Sequence, residues 1–456
     1  MQTLTWKKLS VAQRAAALQR PAQQAQPAIA AAVKVIVSAV RRGGDRALRQ
    51  LTKRFDRADV RSLRVSQAEF AAAEKALSRD DHSALRRAYG NIRKFHAAQR
   101  NAAVRVETTP GIVCEKVSRP IGRVGLYVPG GSAPLFSTAL MLGVPAQLAA
   151  CPVRVLCTPP DREGHINPWI LCAARLCGIT DVFKVGGAQA IAAMAYGTAT
   201  IPKCDKLFGP GNAFVTEAKQ RVARDAAGAA IDLPAGPSEV MVIADRTAVA
   251  SFVAADLLSQ AEHGPDSQVV LVTFSQDQAF RIALEVEHQV KLLPRADIAR
   301  QALKKSRVIL AGSPAEAVEI ANAYAPEHLI LQVATPRRLL PGITAAGSVF
   351  LGPWTPESLG DYASGTNHVL PTYGWARSCS GLGLADFLRS MTVQEATALG
   401  FARLSGVVAR LATAENLVAH RRAVTIRLNR LAEGAGLSRD PKAGTRSNRG
   451  VKPLLQ

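Results

Sequence analysis

Cysteine, acid and aromatic side chains are in short supply in this chain, and each shortage closes off a class of protein. Seven cysteines in 456 residues, an odd number without a Cys-x-x-Cys pair, give neither a disulfide framework nor a thiolate zinc site and read as reduced, packed thiols. Aromatic residues make up only 5%, which leaves few stacking platforms for bases, and no nucleic-acid motif is recognisable. Asp and Glu number 35 against 57 Lys and Arg, for a formal net charge of +22. That charge permits attraction to polyanions, but without a motif it reads as solvation and steering, and nucleic acid is not an expected partner. An apolar run free of breakers is also missing. The longest uncharged stretch, 124–153, carries Pro129, Gly130, Gly131, Pro134, Pro145 and Pro152, which suits a buried strand, a tight loop and a helix, so no membrane association is expected. The first eight residues lack the apolar core of a signal peptide, and a cytoplasmic location is expected.

What is present is a chain long enough for two or three cores, with 48% hydrophobic and 20% charged residues. The first hundred residues have mainly helical periodicity, interrupted at Gly43-Gly44-Asp45, and a hairpin is expected around Pro110-Gly111. From Val124, strands and helices alternate in two series, the second beginning near Val240. Such alternation implies parallel sheets with helices on their faces. No clean repeat is visible at the level of residues, although two units of similar order would fit an old duplication. The expected division is a helical region with a short hairpin at 1–122, packing with the 239–387 unit, and an α/β domain at 123–238. A second α/β domain follows at 239–387, with a hinge near Pro234–Pro237, then a helical segment at 388–434 and a basic disordered tail at 435–456.

Four polar islands stand out from apolar surroundings. In the first, an apolar-periodic helix runs through Leu257-Leu258 to Gln260 and His263 and is stopped by Gly264-Pro265, so that both side chains share one helical face. The others hold Glu327-His328, Asp361 with His368, and Glu415 with His420. Half of the eight histidines lie in these four places. Singly, each histidine has a plainer reading as a cap or a surface residue; Glu327-His328 reads equally as a surface Glu and a helix-terminal His, and Ser238 as a cap after Pro237. The loops Pro129–Ser132, Gly186–Gln189 and Gly209–Asn212 could cradle a pyrophosphate, yet none completes a Gly-x-Gly-x-x-Gly.

The stretches Phe208-Gly209-Pro210-Gly211-Asn212-Ala213-Phe214-Val215-Thr216-Glu217-Ala218-Lys219 and Ile231-Asp232-Leu233-Pro234-Ala235-Gly236-Pro237-Ser238-Glu239-Val240, together with the four islands, resemble the histidinol dehydrogenase family from about residue 5 to about 434. The resemblance implies an α/β fold of two incomplete Rossmann-like parallel-sheet domains with helical N-terminal and C-terminal extensions. It implies oxidation of L-histidinol through L-histidinaldehyde to L-histidine, the last step of histidine biosynthesis, in two hydride transfers to NAD. One zinc ion per subunit would be held by Gln260, His263, Asp361 and His420, with His328 as general base and Glu327 activating water. Ser238, Gln260, His263, His328, Asp361, His368, Glu415 and His420 would contact substrate, and Tyr127, Gln189 and Asn212 the NAD. The family forms intertwined homodimers, so Glu415 and His420 are candidates to reach the partner's active site. Two alternatives stay open: a relative that oxidises another polar alcohol, such as a sulfonated diol, and a non-catalytic polyanion-binding protein on the same scaffold.

Overall fold

In the computed structural model, which describes residues 1–20, 26–100, 102–130, 135–233 and 236–434, the chain is a mixed α/β protein that divides into two compact units. The first comprises Met1–Arg100 and Pro120–Arg389, the second Asn101–Arg119 and Ser390–Gln456. The expected basic tail, Gly131-Ser132 of the first glycine loop and Pro234-Ala235 of the hinge lie outside the described residues.

The strands, in chain order, are β1 (Gln2–Thr5), β2 (Val104–Thr109), β3 (Ile112–Pro120), β4 (Arg123–Tyr127), β5 (Val153–Thr158), β6 (Asp181–Lys184), β7 (Lys206–Phe208) and β8 (Ala230–Ile231). They continue with β9 (Glu239–Ala244), β10 (Gln268–Thr273), β11 (Arg307–Leu310), β12 (His328–Gln332), β13 (Ser348–Leu351) and β14 (Leu388–Ala396). The first unit contains two parallel sheets. One runs β6-β5-β4-β7-β8 and the other β1-β11-β10-β9-β12-β13. Counted along each segment, both follow the order third, second, first, fourth, fifth. The chain thus reverses its winding direction between β4 and β7, and again between β9 and β12.

Each sheet is covered on both faces, which is why its strands read as unbroken apolar runs. In β9, Val240, Val242 and Ala244 enter one core and Met241 and Ile243 the other. Val124, Leu126 and Val128 likewise face one core of the first sheet, while Tyr127, Val155 and Cys157 face the opposite one. Each fully buried Val, Leu or Ile at these positions stabilises the fold by roughly 1.5–3 kcal/mol.

The N-terminal region divides its allegiance. Its first residues join the second parallel sheet: β1 is the edge strand beside β11, and Trp6 and Ala17 enter the core of that sheet. The helices that follow pack instead on the first sheet, where Val33, Val37, Val40 and Leu48 meet the β5 and β6 face and Phe70, Leu85 and Ile92 meet the other. The 1–122 region also meets the 239–387 unit beyond residue 20: Asn91 donates to the Ala363 carbonyl (2.8 Å) and Gln99 Oε1 accepts from the Leu384 N–H (2.9 Å). The interruption at Gly43-Gly44 is a kink within the helix Gln26–Phe55, with Gly44 at φ 49° and ψ −135°.

In the second unit the hairpin of β2 and β3 is hydrogen-bonded to β14, and the helices Ala398–Ala414 and Val418–Gly434 pack against each other. Residues 388–396, expected to be helical, are a strand because β3 offers them an edge. Their exposed positions (Met391 40%, Val393 40%) lack the apolar stripe that a helix would bury.

Candidate active site

The polar islands of the first unit converge at the amino ends of β9 and β12. Ser238 precedes β9, which Glu239 begins, and His328 is the first residue of β12, beside Val240 and Ser348 in register. Left-handed Ala325 (φ 53°) and Pro326 end the preceding helix and turn the chain into β12. This puts Glu327 in the turn and His328 on the strand, so the adjacent side chains need not point to opposite faces. Both are buried. The helix Ala250–Ala261 returns towards the amino end of β10 and brings Gln260 in; it ends two residues before His263, which sits in the following turn with its N–H on the Gln260 carbonyl (3.2 Å). The short helix Glu357–Tyr362 supplies Asp361.

His328 is the centre of this cluster. Its Nδ1 lies 3.0 Å from the Gln260 amide nitrogen and 3.1 Å from the Glu239 carbonyl, and its Nε2 lies 3.5 Å from Asp361 Oδ1. Glu327 Oε2 is 3.8 Å and Glu357 Oε2 3.9 Å from Nδ1. Glu327 Oε2 also accepts from the Glu239 N–H (2.8 Å), and Ser259 Oγ donates to Glu357 Oε1 (3.1 Å). Burial raises the Glu327 and Glu357 carboxyls to about 8. Burial would lower the His328 imidazole, but the charges of Glu327, Glu357 and Asp361 overcome it and hold the ring at about 10. The same imidazolium keeps Asp361 low although burial opposes it.

His263 and His368 are held neutral by desolvation. The His263 ring keeps an edge open to solvent, but crowding on its other sides lowers its pKa, and Ser238 Oγ lies 3.2 Å from its Nδ1. His368 Nδ1 meets the Asp361 carbonyl at 3.0 Å and its Nε2 meets Thr138 Oγ1 at 3.2 Å. Thr138 belongs to the helix that follows β4, so His368 joins the cluster to the other α/β domain of the same unit.

The donor atoms of the cluster decide whether a metal ion would fit. Among the described residues no three His, Cys, Asp or Glu side chains are grouped to hold a metal. Gln260 Oε1, however, is buried without a hydrogen-bond partner, as are His328 Nε2 and Glu357 Oε2. The carboxyls of Glu327, Glu357 and Asp361 thus share one imidazole as their cationic partner, and a bound cation would favour their ionised forms. Neutral His263, Asp361 and the free Gln260 oxygen are a mixed nitrogen and oxygen donor set of the kind that suits a catalytic zinc.

Two residues that the sequence reading passed over hold the cluster from behind. Arg20 donates from Nε to Glu239 Oε1 (2.5 Å), and from Nη2 to Glu239 Oε2 (2.9 Å) and to the Tyr324 and Ala325 carbonyls (2.8 and 3.3 Å). Glu239 also accepts from the Tyr373 N–H (3.0 Å). Glu357 could have been found from its spacing four residues before Asp361 on one helix, whereas nothing local marks Arg20, whose partner lies 219 residues away.

Tyr127, Gln189 and Asn212 line one cavity of ≈1070 Å³ in the same unit, at the winding reversal between β4 and β7. Tyr127 is buried and its hydroxyl accepts from the Gly187 N–H (3.0 Å). Asn212 is exposed and caps the helix Ala213–Ala223, accepting from the Phe214 and Val215 N–H groups. Lys219 and Asp232, a buried ion pair, clasp the preceding loop: Lys219 donates to the Gly209 carbonyl (2.8 Å) and Asp232 accepts from the Gly209 N–H (2.7 Å).

Glu415 and His420 belong to the second unit. Glu415 terminates the helix Ala398–Ala414 and His420 lies in the helix Val418–Gly434, both exposed.

A cavity at the crossover of one doubly wound sheet and a buried acid–imidazole cluster on another are the binding and acid–base elements of an α/β enzyme. The sequence matches the family model for histidinol dehydrogenase over residues 18–428. It is 58% identical over 431 residues to the histidinol dehydrogenase of Vibrio cholerae, covering 94% of this chain and 99% of that one. It is 56% identical over 432 residues to that of Escherichia coli, covering 95% and 99%. The crystal structure of histidinol dehydrogenase from Elizabethkingia anophelis superposes with a TM-score of 0.90 at 48% identity, covering 94% of this chain and 98% of that one. The chain belongs to the histidinol dehydrogenase family.

Proposed function

We propose that the protein catalyses the four-electron oxidation of L-histidinol to L-histidine, the last step of histidine biosynthesis. The alcohol carbon gives a hydride to one NAD and its hydroxyl proton to His328. Water adds to the resulting aldehyde, and the hydrate gives a second hydride to another NAD, so that two NADH form and one water oxygen enters the carboxylate. The observation that carries this reading is the buried Glu327-His328 pair meeting Gln260 and Asp361 at one point.

His328 can serve as base once its Nε2 proton has left, because Nδ1–H remains fixed on the Glu239 carbonyl and presents the bare nitrogen. Glu327, kept basic by burial, takes a proton from the water that hydrates the aldehyde. Ser238 and His368 offer hydrogen bonds near the reacting carbon. Zinc, one ion per subunit, would be held by Gln260, His263, Asp361 and His420, and when bound it supplies an anchor for the substrate's nitrogen donors. Tyr127, Gln189 and Asn212 form the NAD site, and the absence of a complete Gly-x-Gly-x-x-Gly gives the transient binding that suits a cofactor exchanged between the two steps.

A homodimer is supported by the apolar side chains that the second unit leaves exposed, among them Leu399 (62%), Val407 (56%) and Leu411 (61%). Glu415 and His420 of each copy then serve the active site of its partner. Among the described residues no helix is long and apolar enough to cross a membrane, and the reading places the enzyme in the cytoplasm.

The test is the NADH yield per limiting L-histidinol, with and without chelation and zinc re-addition. A yield near two, lost on chelation and restored by zinc, supports the whole scheme. A yield near one removes the hydration role of Glu327, and none at all redirects the search to other polar alcohols.

A further inference from the structure

Two side chains on the wall of the cavity at the β4/β7 crossover, Asp56 and Thr158, carry a buried oxygen without a hydrogen-bond partner among the described residues, and of the two only Asp56 is an acid. Asp56 follows the helix Gln26–Phe55, with its N–H on the Thr52 carbonyl (2.9 Å), and lines the cavity beside Tyr127, Gly187 and Gln189. Its Oδ2 is buried and, among the described residues, has no hydrogen-bond partner. An acceptor in that state costs free energy until something in the cavity donates to it. Of the other acids on the same walls, Glu163 is exposed to solvent, and Glu69 and Asp161 have partners. Glu69 takes Lys184 at 2.5 Å and the Ser66 N–H at 2.9 Å, and Asp161 takes the His165 N–H at 2.7 Å.

The place where a doubly wound sheet usually keeps its ribose-binding acid is the end of its second strand. Here that strand is β5, and it ends in Pro159-Pro160, with Pro159 packed so closely that a Cβ at Gly130 or Gly186 would collide with its ring. The first carboxylate after these prolines, Asp161, is exposed and accepts from the His165 N–H. Asp56, brought in from the N-terminal helix, reaches the same cavity from the side.

We infer that Asp56 accepts a hydrogen bond from a ribose hydroxyl of the dinucleotide and, by its negative charge, rejects a ribose that carries a phosphate. The inference rests on the proposed use of this cavity for NAD. Hydroxyls are donors without negative charge, as the orphaned oxygen requires, whereas a ribose phosphate would place two anions in contact in a partly desolvated site. Burial alone raises the Asp56 carboxyl to about 6, and it also bears on the Tyr127 hydroxyl, whose oxygen is held by Gly187. The acid therefore stands next to the element that starts the Gly187–Tyr196 helix, where a pyrophosphate is favoured.

The test compares Asp56→Asn and Asp56→Ala with the parent enzyme on NAD, 2′-deoxy-NAD, 3′-deoxy-NAD and NADP. Loss of a hydrogen bond to a charged acceptor should lower kcat/KM for NAD about 10–100-fold in Asp56→Ala. One deoxy analogue should show the same loss in the parent and little further loss in the variant. Asp56→Asn keeps an acceptor but no charge, so it should retain most NAD activity while narrowing the NAD over NADP preference. Equal losses with every cofactor, or no change in that preference, overturn the assignment. Gln189→Ala separates this from the cavity reading: an increased KM for NAD there, alongside unaltered kinetics in both Asp56 variants, would sink the role of Asp56 alone, whereas an unchanged KM for NAD in Gln189→Ala would sink the cavity assignment beneath it.

Discussion

Asp256 illustrates how much a single buried carboxyl can say about conditions. It is 5% exposed, burial raises it to about 6, and the amide of Gln332 donates to it at 2.6 Å. A carboxyl with a folded pKa above its unfolded one binds its proton more tightly when folded. Stability is therefore lost as pH rises from about 4 to about 6, on the order of 3 kcal/mol once the group is ionised. Asp256→Asn, which preserves an acceptor for Gln332, should flatten that loss and raise the urea midpoint at pH 8 with little effect at pH 4; an unchanged difference between the two pH values would show that Asp256 is solvated in the folded state. Glu357 bears on activity instead. It is buried against His328 and Ser259, and Glu357→Gln should lower kcat about 10²-fold with KM for NAD unaltered. Parent-like turnover in steady-state assays would reduce it to a packing residue. At this scale the sequence was informative where function breaks a local pattern, as in Glu327-His328 or Asp361 with His368 amid apolar runs. It was silent on Arg20 and Glu239, because each is an ordinary charged residue in its own neighbourhood and acquires meaning only from a partner far along the chain.

Elements were legible in proportion to their length and apolar content. Strands β4 and β9 begin within a residue of where the two alternating series were expected to start, at Val124 and near Val240, because burial on both sides leaves a continuous apolar signal. β12 was hidden, although it is interior to its sheet: it is five residues long, follows Pro326 and opens with the polar His328. β1 and β14 escaped for another reason, since edge strands depend on a neighbour's free hydrogen bonds more than on their own composition. Arg20 ties these elements together. It connects the first twenty residues to the start of β9 and to the carbonyls that lead into β12, and its guanidinium lies 4.0 Å from the Tyr324 ring centroid. Arg20→Ala would strand Glu239 as an unpaired buried charge and should cost about 3–5 kcal/mol, read as a lowered urea midpoint. Arg20→Lys keeps the charge but not the fork and should recover only part of it. A midpoint within experimental error of the parent in Arg20→Ala would mean that Glu239 finds another partner or a proton.

The whole molecule repeats one topology and uses its ends differently. In the first sheet the cavity lies beyond the carboxyl ends of the strands, at the reversal between β4 and β7, as an open α/β sheet favours. In the second the acid–imidazole cluster gathers at the amino ends, where β9 and β12 begin and the helix Ala250–Ala261 returns. The succession of two α/β units was visible in the alternation of the sequence; the order of strands within each sheet and the opposite use of the ends were not, since hydropathy carries no sign for pairing or direction. The second unit poses the remaining question, because it exposes Leu399, Val407 and Leu411 together with His420. If a second copy covers that surface and receives His420 into its own site, inactive variants should complement each other. Dimers of His420→Ala with His328→Ala contain one site with both defects and one with neither. Random subunit exchange makes half of the dimers mixed, so activity should return to about a quarter of the parent value. Exchange is verified independently by mass spectrometry of differently tagged chains. No recovery in a sample shown to contain mixed dimers would mean that each chain completes its own site, and the shared-site proposal would then fall while the chemistry of His328 stood.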